Sequence, residues 1–229
     1  MPVAVVTGCT RGIGYAIANR LQKAYTIVGC GSTPALVEEV RQKHPQWDVR
    51  VHDLSQKAEA KAFAAYIQTA YPSIDLLINN AGRFIPGQIA TEPDEVYEAM
   101  MSVNLSSAYY LTKGLLPVFM AQRRGLIINI ASVASLMAYP NGSAYSIAKA
   151  GLLALSRNLR EQLKPYQVGV TALLLGATLT QSWEGSLYPP ERFIPCEAVA
   201  DLIWALTQLP HQAVVEEVIM RPMLGDILS

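Results

Sequence analysis

The chain has 229 residues, 51% of them apolar and only 16% charged, with 18 basic and 18 acidic side chains in balance. That length suits a domain with a sizeable core, and the charge pattern holds no basic stripe for nucleic acid and no acidic tail. No apolar run reaches the length of a bilayer span, the N-terminus has no basic n-region, and Cys9, Cys30 and Cys196 form neither a metal spacing nor a disulfide framework, which together point to a reducing cytoplasm, no membrane and no metal.

Strand and helix patterns then alternate along the chain. Pro2–Thr7 reads as a fully buried strand, and Gly12–Ala24 as a helix with Ile13, Ile17 and Leu21 on one stripe. Tyr25–Cys30 is a second strand. Pro34 starts a helix carrying Leu36, Val37 and Val40 that stops before Pro45. A short strand, Trp47–Val51, precedes a helix capped by Ser55 and ended at Tyr71-Pro72, and Ile74–Ile78 is a fourth strand. Asp94–Gln122 is helical with a break. Leu126–Ile130 is a strand, Ser143–Lys164 a long helix, Val168–Leu175 a strand, Pro195–Leu209 a helix and Ala213–Met220 a last strand. No repeat, low-complexity stretch or linker interrupts this order, so residues 1–229 read as a single domain. The alternation implies parallel pairing through right-handed crossovers: an α/β fold with one doubly wound, mostly parallel sheet of about seven strands and helices on both faces. The low charge fits strands buried on both sides, or burial in an oligomer interface. The irregular stretch 176–195 reads as a substrate loop or lid.

The first strand runs into Thr7-Gly8-Cys9-Thr10-Arg11-Gly12-Ile13-Gly14. Glycines there permit a tight turn and close backbone approach to a pyrophosphate, and the helix behind them offers free N–H groups. The spacing differs from G-x-G-x-x-G, and a glycine-rich turn without a ligand is the bland alternative. Where an acidic residue at the end of the second strand would hold the ribose of NAD, this chain has Cys30-Gly31-Ser32-Thr33 and no carboxylate before Glu38. Ser32 and Thr33 suit a 2′-phosphate, and Arg11 can pair with it, so NADP(H) is favoured over NAD(H); a solvated loop arginine is the alternative. After the third strand, Asp53 and Leu54 adjoin a nucleotide site, with Asp53 accepting from the adenine amino group or capping the next helix. His52 reads as a surface or packing histidine. The fourth strand ends in Asn79-Asn80-Ala81-Gly82, a turn that lets a cofactor ribose approach. Asn104, polar among apolar neighbours, is either a helix break or a satisfied core amide.

Tyr145 and Lys149 lie four residues apart on one helical face, thirteen residues after Ser132 at the end of a buried strand. With eleven tyrosines in the chain such a pair also arises by chance, and Tyr109 with Lys113 is one. That second pair has no strand and serine before it. Ser132, Tyr145 and Lys149 converge where open α/β sheets keep their sites.

Taken together, the segment Thr7–Gly14, Asn79-Asn-Ala-Gly82, Asn104, Ser132 and Tyr145-x-x-x-Lys149 resemble the short-chain dehydrogenase/reductase family over essentially the whole chain, with an overall look similar to its 3-oxoacyl-carrier-protein reductase, 3-hydroxy-acid dehydrogenase and sepiapterin reductase-like branches. The resemblance implies a Rossmann-type sheet, a nicotinamide cofactor and carbonyl/alcohol redox chemistry. It assigns Tyr145 as acid and base, Ser132 to the substrate oxygen, Lys149 to the ribose and the tyrosine, and Asn104 to a water that feeds protons to Lys149. Gly8, Thr10, Gly12, Ile13, Gly14, Asn80, Ala81 and Gly82 are carried over as cofactor contacts, as are Gly176, Thr178 and Thr180 near the carboxamide. One departure is Leu175, where the family has proline. The family also implies a homodimer or homotetramer. Trp183, Tyr188, Phe193, Phe84 and Tyr139 suggest an apolar pocket and a small ketone, aldehyde or β-keto substrate, or else core packing. Two other classes compete: a non-catalytic dinucleotide sensor, which need not keep Ser132, Tyr145 and Lys149 together, and a nucleotide-sugar epimerase, which needs a larger C-terminal domain.

Overall fold

Strand β1 (Val3–Thr7) sends Ala4 and Val6 into one apolar cluster and Val3 and Val5 into another, on opposite sides of the sheet. The same division recurs in β4 (Leu76–Asn79), with Leu76 and Ile78 on one side and Leu77 on the other, and in β5 (Leu126–Ser132), with Ile128 and Ile130 opposed to Ile127. Period-two alternation with both faces apolar is what makes these strands read as continuous hydrophobic runs. The computed structural model, which describes residues 1–227, shows how they assemble. Seven parallel strands lie in the order β3-β2-β1-β4-β5-β6-β7, with β2 at Thr26–Gly31, β3 at Asp48–Val51, β6 at Gly169–Leu175 and β7 at Glu217–Met220.

One face is covered by α1 (Gly12–Leu21), α2 (Pro34–Lys43) and α7 (Cys196–Thr207), through Ile17, Val37 and Ile203. The other is covered by α3 (Lys57–Ala70), α5 (Ser107–Gln122) and α6 (Ser143–Leu163), through Phe63, Leu111, Phe119 and Leu159. α4 (Asp94–Met101) packs on α6. The doubly wound fold is therefore as expected. Strand order turns back between β1 and β4, and a crevice opens beyond the carboxyl ends of the strands there. No described helix is long and apolar enough to cross a membrane.

Three local readings change. The break expected in Asp94–Gln122 is a π-helical turn at Ser102–Ser106, so α4 runs into α5 without interruption. The cap of α3 is Gln56, with no side-chain bond; Ser55 instead gives its N–H to Asp53 Oδ1 at 3.1 Å. The last strand is shorter than Ala213–Met220. Thr171 donates its side chain to the Val215 carbonyl at 2.7 Å, and ladder pairing with β6 begins only at Glu217.

Candidate active site

The turn after β1 is built on backbone positions that a side chain would spoil. Gly8 and Gly12 have φ of 63° and 55°. A Cβ on Gly14 would stand 2.2 Å from the Gly8 carbonyl and 2.4 Å from the Asn80 side chain. The turn is stapled to the end of β4. Thr7 Oγ1 accepts from the Asn80 and Ala81 N–H groups, both at 2.9 Å, and Asn80 Nδ2 donates to the Thr7 and Gly8 carbonyls at 2.8 and 3.2 Å. Asn80 thus shapes the glycine turn from behind. The first main-chain bond of α1 runs from Tyr15 to Arg11, so the N–H groups of Gly12, Ile13 and Gly14 have no intrahelical acceptor, and no acidic residue occupies the first turn. Thr10 packs on Gly31 at the end of β2. Arg11, Ser32 and Thr33 are exposed at that corner and make no side-chain hydrogen bond or ion pair among the described residues. A bare glycine cradle, free N–H groups and an unpaired guanidinium beside two hydroxyls fit a phosphorylated dinucleotide.

Across the crevice, β5 delivers Ser132 at its last position, in register with Leu175 of β6, which itself pairs with Met220. Leu175 prolongs the ladder here, where a proline would withdraw a donor. Ser132 Oγ accepts from the Ala134 N–H at 3.1 Å and stands close enough to the Tyr145 phenol to favour its ionisation. Lys149, one turn along α6, is buried, and its Nζ donates to the Ile130 carbonyl at 2.8 Å. Ser135, which the sequence reading passed over, ties the two elements together. Its Oγ donates to the Lys149 carbonyl at 2.8 Å and faces the Ser132 N–H at 3.4 Å, an S-x-x-S cap signal at a strand end.

The rival pair shows that spacing alone does not discriminate. Lys113 Nζ lies 5.8 Å from the Tyr109 ring and Lys149 Nζ 5.7 Å from the Tyr145 ring. Tyr109 is exposed on the outer face of α5, whereas Lys149 is 4% exposed. Burial separates the electrostatics too. Loss of water pushes the Tyr145 phenol up to about 12, against the Ser132 bond, which favours the phenolate; Tyr139 adds to the rise. Burial pulls the Lys149 ammonium down to about 8. Desolvation thus outweighs the expected assistance of lysine to tyrosine.

Asn104 sits in the π-helical turn and is buried. The core-amide reading holds, and the helix is not broken there. Its Oδ1 accepts from the Arg83 N–H at 3.2 Å, and its Nδ2 donates to the Arg83 and Met100 carbonyls at 2.9 and 3.1 Å. Gly82 separates it from the lysine: a Cβ there would be 2.6 Å from Asn104 Oδ1 and 3.5 Å from Lys149 Nζ. Leu54 is buried beside exposed Asp53, and His52, read as a surface or packing histidine, packs against Phe63 and pairs with Glu59 at 2.7 Å.

The loop 176–195 is closed at its neck by Ile194 N–H to Ala177 O and Leu179 N–H to Ile194 O, both 2.9 Å. Thr178 turns its hydroxyl to the Gly176 carbonyl at 3.1 Å, and Thr180, capping a short helical turn, approaches Gly12. Of the aromatic residues expected to line the pocket, Phe84 packs edge-on against both Tyr145 and Tyr139, with ring centroids 5.3 and 5.9 Å away. Trp183 and Phe193 pack on each other, with Phe193 in the core. No group of three or more potential metal-ligating side chains occurs among the described residues.

A family model for short chain dehydrogenases matches residues 2–187. The chain is 30% identical over 224 residues to an uncharacterised oxidoreductase of Staphylococcus epidermidis, covering 96% of this chain and 97% of the relative. It is also 30% identical over 240 residues to a sepiapterin reductase of Chlorobaculum tepidum, covering 98% of each. Among solved structures, a metagenomic short-chain oxidoreductase in complex with NADP is similar, at 31% identity with a TM-score of 0.84 over 97% of both chains.

The glycine turn has a direct test. In Gly14→Ala the new methyl meets backbone on one side and the Asn80 staple on the other, so the turn must open. Dinucleotide binding, followed by fluorescence of added NADPH, is expected to weaken by at least about a hundredfold, while Gly185→Ala, in open loop, leaves it unchanged.

Proposed function

The chain belongs to the short-chain dehydrogenase family, and on that footing we propose that it is an NADP(H)-dependent oxidoreductase that interconverts a carbonyl and an alcohol. The observation that carries this is Ser132 beside Tyr145 with the buried Lys149 one turn away, at the same end of the sheet as the glycine cradle. The NADP-bound relative supports the choice of nucleotide, as do Arg11, Ser32 and Thr33, which offer a cation and two hydroxyls where a carboxylate would repel a 2′-phosphate. The nicotinamide, when bound, supplies the hydride.

The protein's part is to orient and to move one proton. Tyr145, held protonated by its surroundings, donates to the carbonyl oxygen during reduction and takes the proton back in the reverse direction. Ser132 gives the same oxygen a second hydrogen bond as charge builds on it. Lys149 has one donor on the Ile130 carbonyl and two left for ribose hydroxyls. The side-chain amide of Asn104 has both N–H donors committed, to the Arg83 and Met100 carbonyls, so the water that would feed Lys149 has only the remaining acceptor capacity of Oδ1 to hold it. Phe84 and Tyr139 give the substrate an apolar wall, consistent with a small ketone, aldehyde or β-keto compound. Exposed Tyr109 and Ile147, on α5 and α6, support a homodimer or homotetramer, and the free cysteines support a cytoplasmic location.

Tyr145→Phe is expected to lower NADPH-dependent reduction of N-methylisatin or p-nitrobenzaldehyde by about a thousandfold while NADPH still binds, and Tyr109→Phe to leave it within about twofold. The reverse pattern would place the chemistry on α5. In the same assay Arg11→Ala raises KM for NADPH about tenfold and leaves that for NADH alone; equal effects on both would remove the 2′-phosphate role.

The pH dependence follows from the two shifts. Tyr145, up at about 12, keeps its proton through the neutral range, whereas Lys149 loses its charge as pH rises through about 8. The kcat/KM for reduction is therefore expected to be flat around neutrality and to fall above about pH 8. Lys149→Met should give a low rate without that alkaline limb.

A further inference from the structure

Beneath the crevice a chain of polar side chains crosses the layer between the sheet and helices α5 and α6. Asn79 and Asn129 are paired in the β4–β5 register and share a sheet face with Leu77 and Ile127. Asn79 Nδ2 donates to Thr112 Oγ1 of α5 at 2.9 Å and to Asn129 Oδ1 at 2.8 Å. Asn129 Nδ2 donates to Ser156 Oγ of α6 at 2.8 Å, and that hydroxyl donates in turn to the Leu152 carbonyl at 2.8 Å. All four side chains are buried, and the cluster on this face of the sheet, with Leu111, Leu115 and Leu159, is apolar.

Such a chain adds little to stability. Exchanging both partners of a buried hydrogen bond for apolar groups of the same shape is nearly neutral, and this chain leaves Asn79 Oδ1 without a donor among the described residues. What it supplies is direction: apolar contacts let a helix shift on a sheet, whereas a bond between buried side chains fixes its register. The chain adjoins the site at two points. Asn129 directly precedes Ile130, whose carbonyl accepts from Lys149 Nζ at 2.8 Å, and Asn79 directly precedes Asn80, which staples the glycine turn. Strand and helix spacings match. Lys149 and Ser156 are seven residues apart on α6, about 10 Å along the helix, and Asn129 and Ser132 are three apart on β5, about 10 Å along the strand. Ser135 holds the upper point through the Lys149 carbonyl at 2.8 Å, and Asn129 holds the lower through Ser156.

We propose that Asn129 and Ser156 are positioning residues for the reaction: their hydrogen bond sets the depth of α6 on β5, and with it the seat of the Lys149 ammonium on the Ile130 carbonyl beside Tyr145. This rests on the reading of Tyr145 as the acid–base group with Lys149 at its side. Both residues lie below the crevice and act through the helix. Tyr145 is the titratable neighbour that faces Lys149 from α6, while β5 offers it a carbonyl and the turn after β4 offers Gly82 and Asn104, none of them charged. Burial alone lowers the Lys149 pKa, so its titration reports how deeply the ammonium is seated.

Ser156→Ala removes the acceptor and little volume, and NADPH-dependent reduction of N-methylisatin across about pH 6–10 reads the result. Expected is a kcat lower by about tenfold at unchanged KM for the ketone, as for a displaced catalytic group. The alkaline limb is expected to move above its wild-type position near pH 8, because a looser ammonium meets water and keeps its charge to higher pH. Ser156→Cys, with a weaker acceptor of similar shape, falls between the two and carries the test where Ser156→Ala does not fold. Ile203→Val, in α7 on the opposite face of the sheet, lowers Tm comparably and is expected to leave kcat and the limb in place. An alkaline limb that stays put in Ser156→Ala, or both changes reproduced by Ile203→Val at matched Tm, overturns the positioning role and leaves the Tyr145 reading intact. Undiminished reduction by Tyr145→Phe overturns that reading, and the positioning role with it.

Discussion

Lys149 carries its ammonium into the protein between β5 and the turn after β4, where no carboxylate answers it among the described residues and the Ile130 carbonyl at 2.8 Å is the acceptor. An unpaired buried cation is tolerated only if its donors are met and its charge is free to leave, and the fall toward about 8 measures that compromise. Much of the surrounding structure follows from it. β5 must end in a fixed position to present the Ile130 carbonyl and then Ser132, and pairing with β4 on one side and β6 on the other fixes it. Ser135 bonds the lysine's own carbonyl, so the helix cannot slide away from the strand. Gly82 has to be glycine because Asn104 and Lys149 close on it from two directions. The π-helical turn fits the same demand: its extra residue lets Asn104 reach the Arg83 main chain without breaking the path from α4 to α5.

The nucleotide side of the crevice divides rigid from free. Thr7, Asn80 and Ala81 bind one another across the ends of β1 and β4, and the Gly8–Gly14 turn is shaped before any ligand arrives. Preorganised N–H groups need little rearrangement on binding. The side chains of Arg11, Ser32 and Thr33, by contrast, make no hydrogen bond or ion pair among the described residues. A long basic side chain left unpaired beside two hydroxyls costs little in water and gains when a phosphate lies between them, so under the proposed function general affinity would belong to the cradle and discrimination between nucleotides to the rim.

Most of this order was legible in the sequence because it rests on local rules. Apolar runs of strand length gave the sheet, glycines at positions of positive φ gave the turn, and the step from Ser132 to Tyr145 to Lys149 survived folding unchanged. What escaped was set by contacts distant in sequence. Nothing near Ser135 says that it will bridge to α6, since that depends on where Lys149 lands. The pair Tyr109–Lys113 has nearly the same ring-to-ammonium distance as Tyr145–Lys149, and only the layer of the fold in which each helix face lies tells them apart. Asn104 looked like a helix break because π-helical geometry carries no composition signal of its own. The segment 221–227 showed no motif, because its relation to Tyr139 and Arg192 spans 88 and 33 residues respectively.

The two shifted groups at the centre agree in direction. A phenol pushed up to about 12 holds its proton, and an ammonium pulled down to about 8 stands close to giving one up. Both shifts arise from the same cause, the exclusion of water, and both favour the neutral side chain. Burial therefore favours the protonation state that the proposed carbonyl reduction would use, with the phenol loaded and no ionisation needed before the first proton moves. Abstraction from an alcohol needs the phenolate, which the Ser132 bond favours and desolvation opposes. A bound positive charge near Tyr145 would tip that balance by Coulomb attraction, most effectively where water is absent. Burial thus makes the acid–base behaviour of Tyr145 depend on what occupies the crevice: with little positive charge beside it the residue is an acid, and added positive charge draws it toward acting as a base.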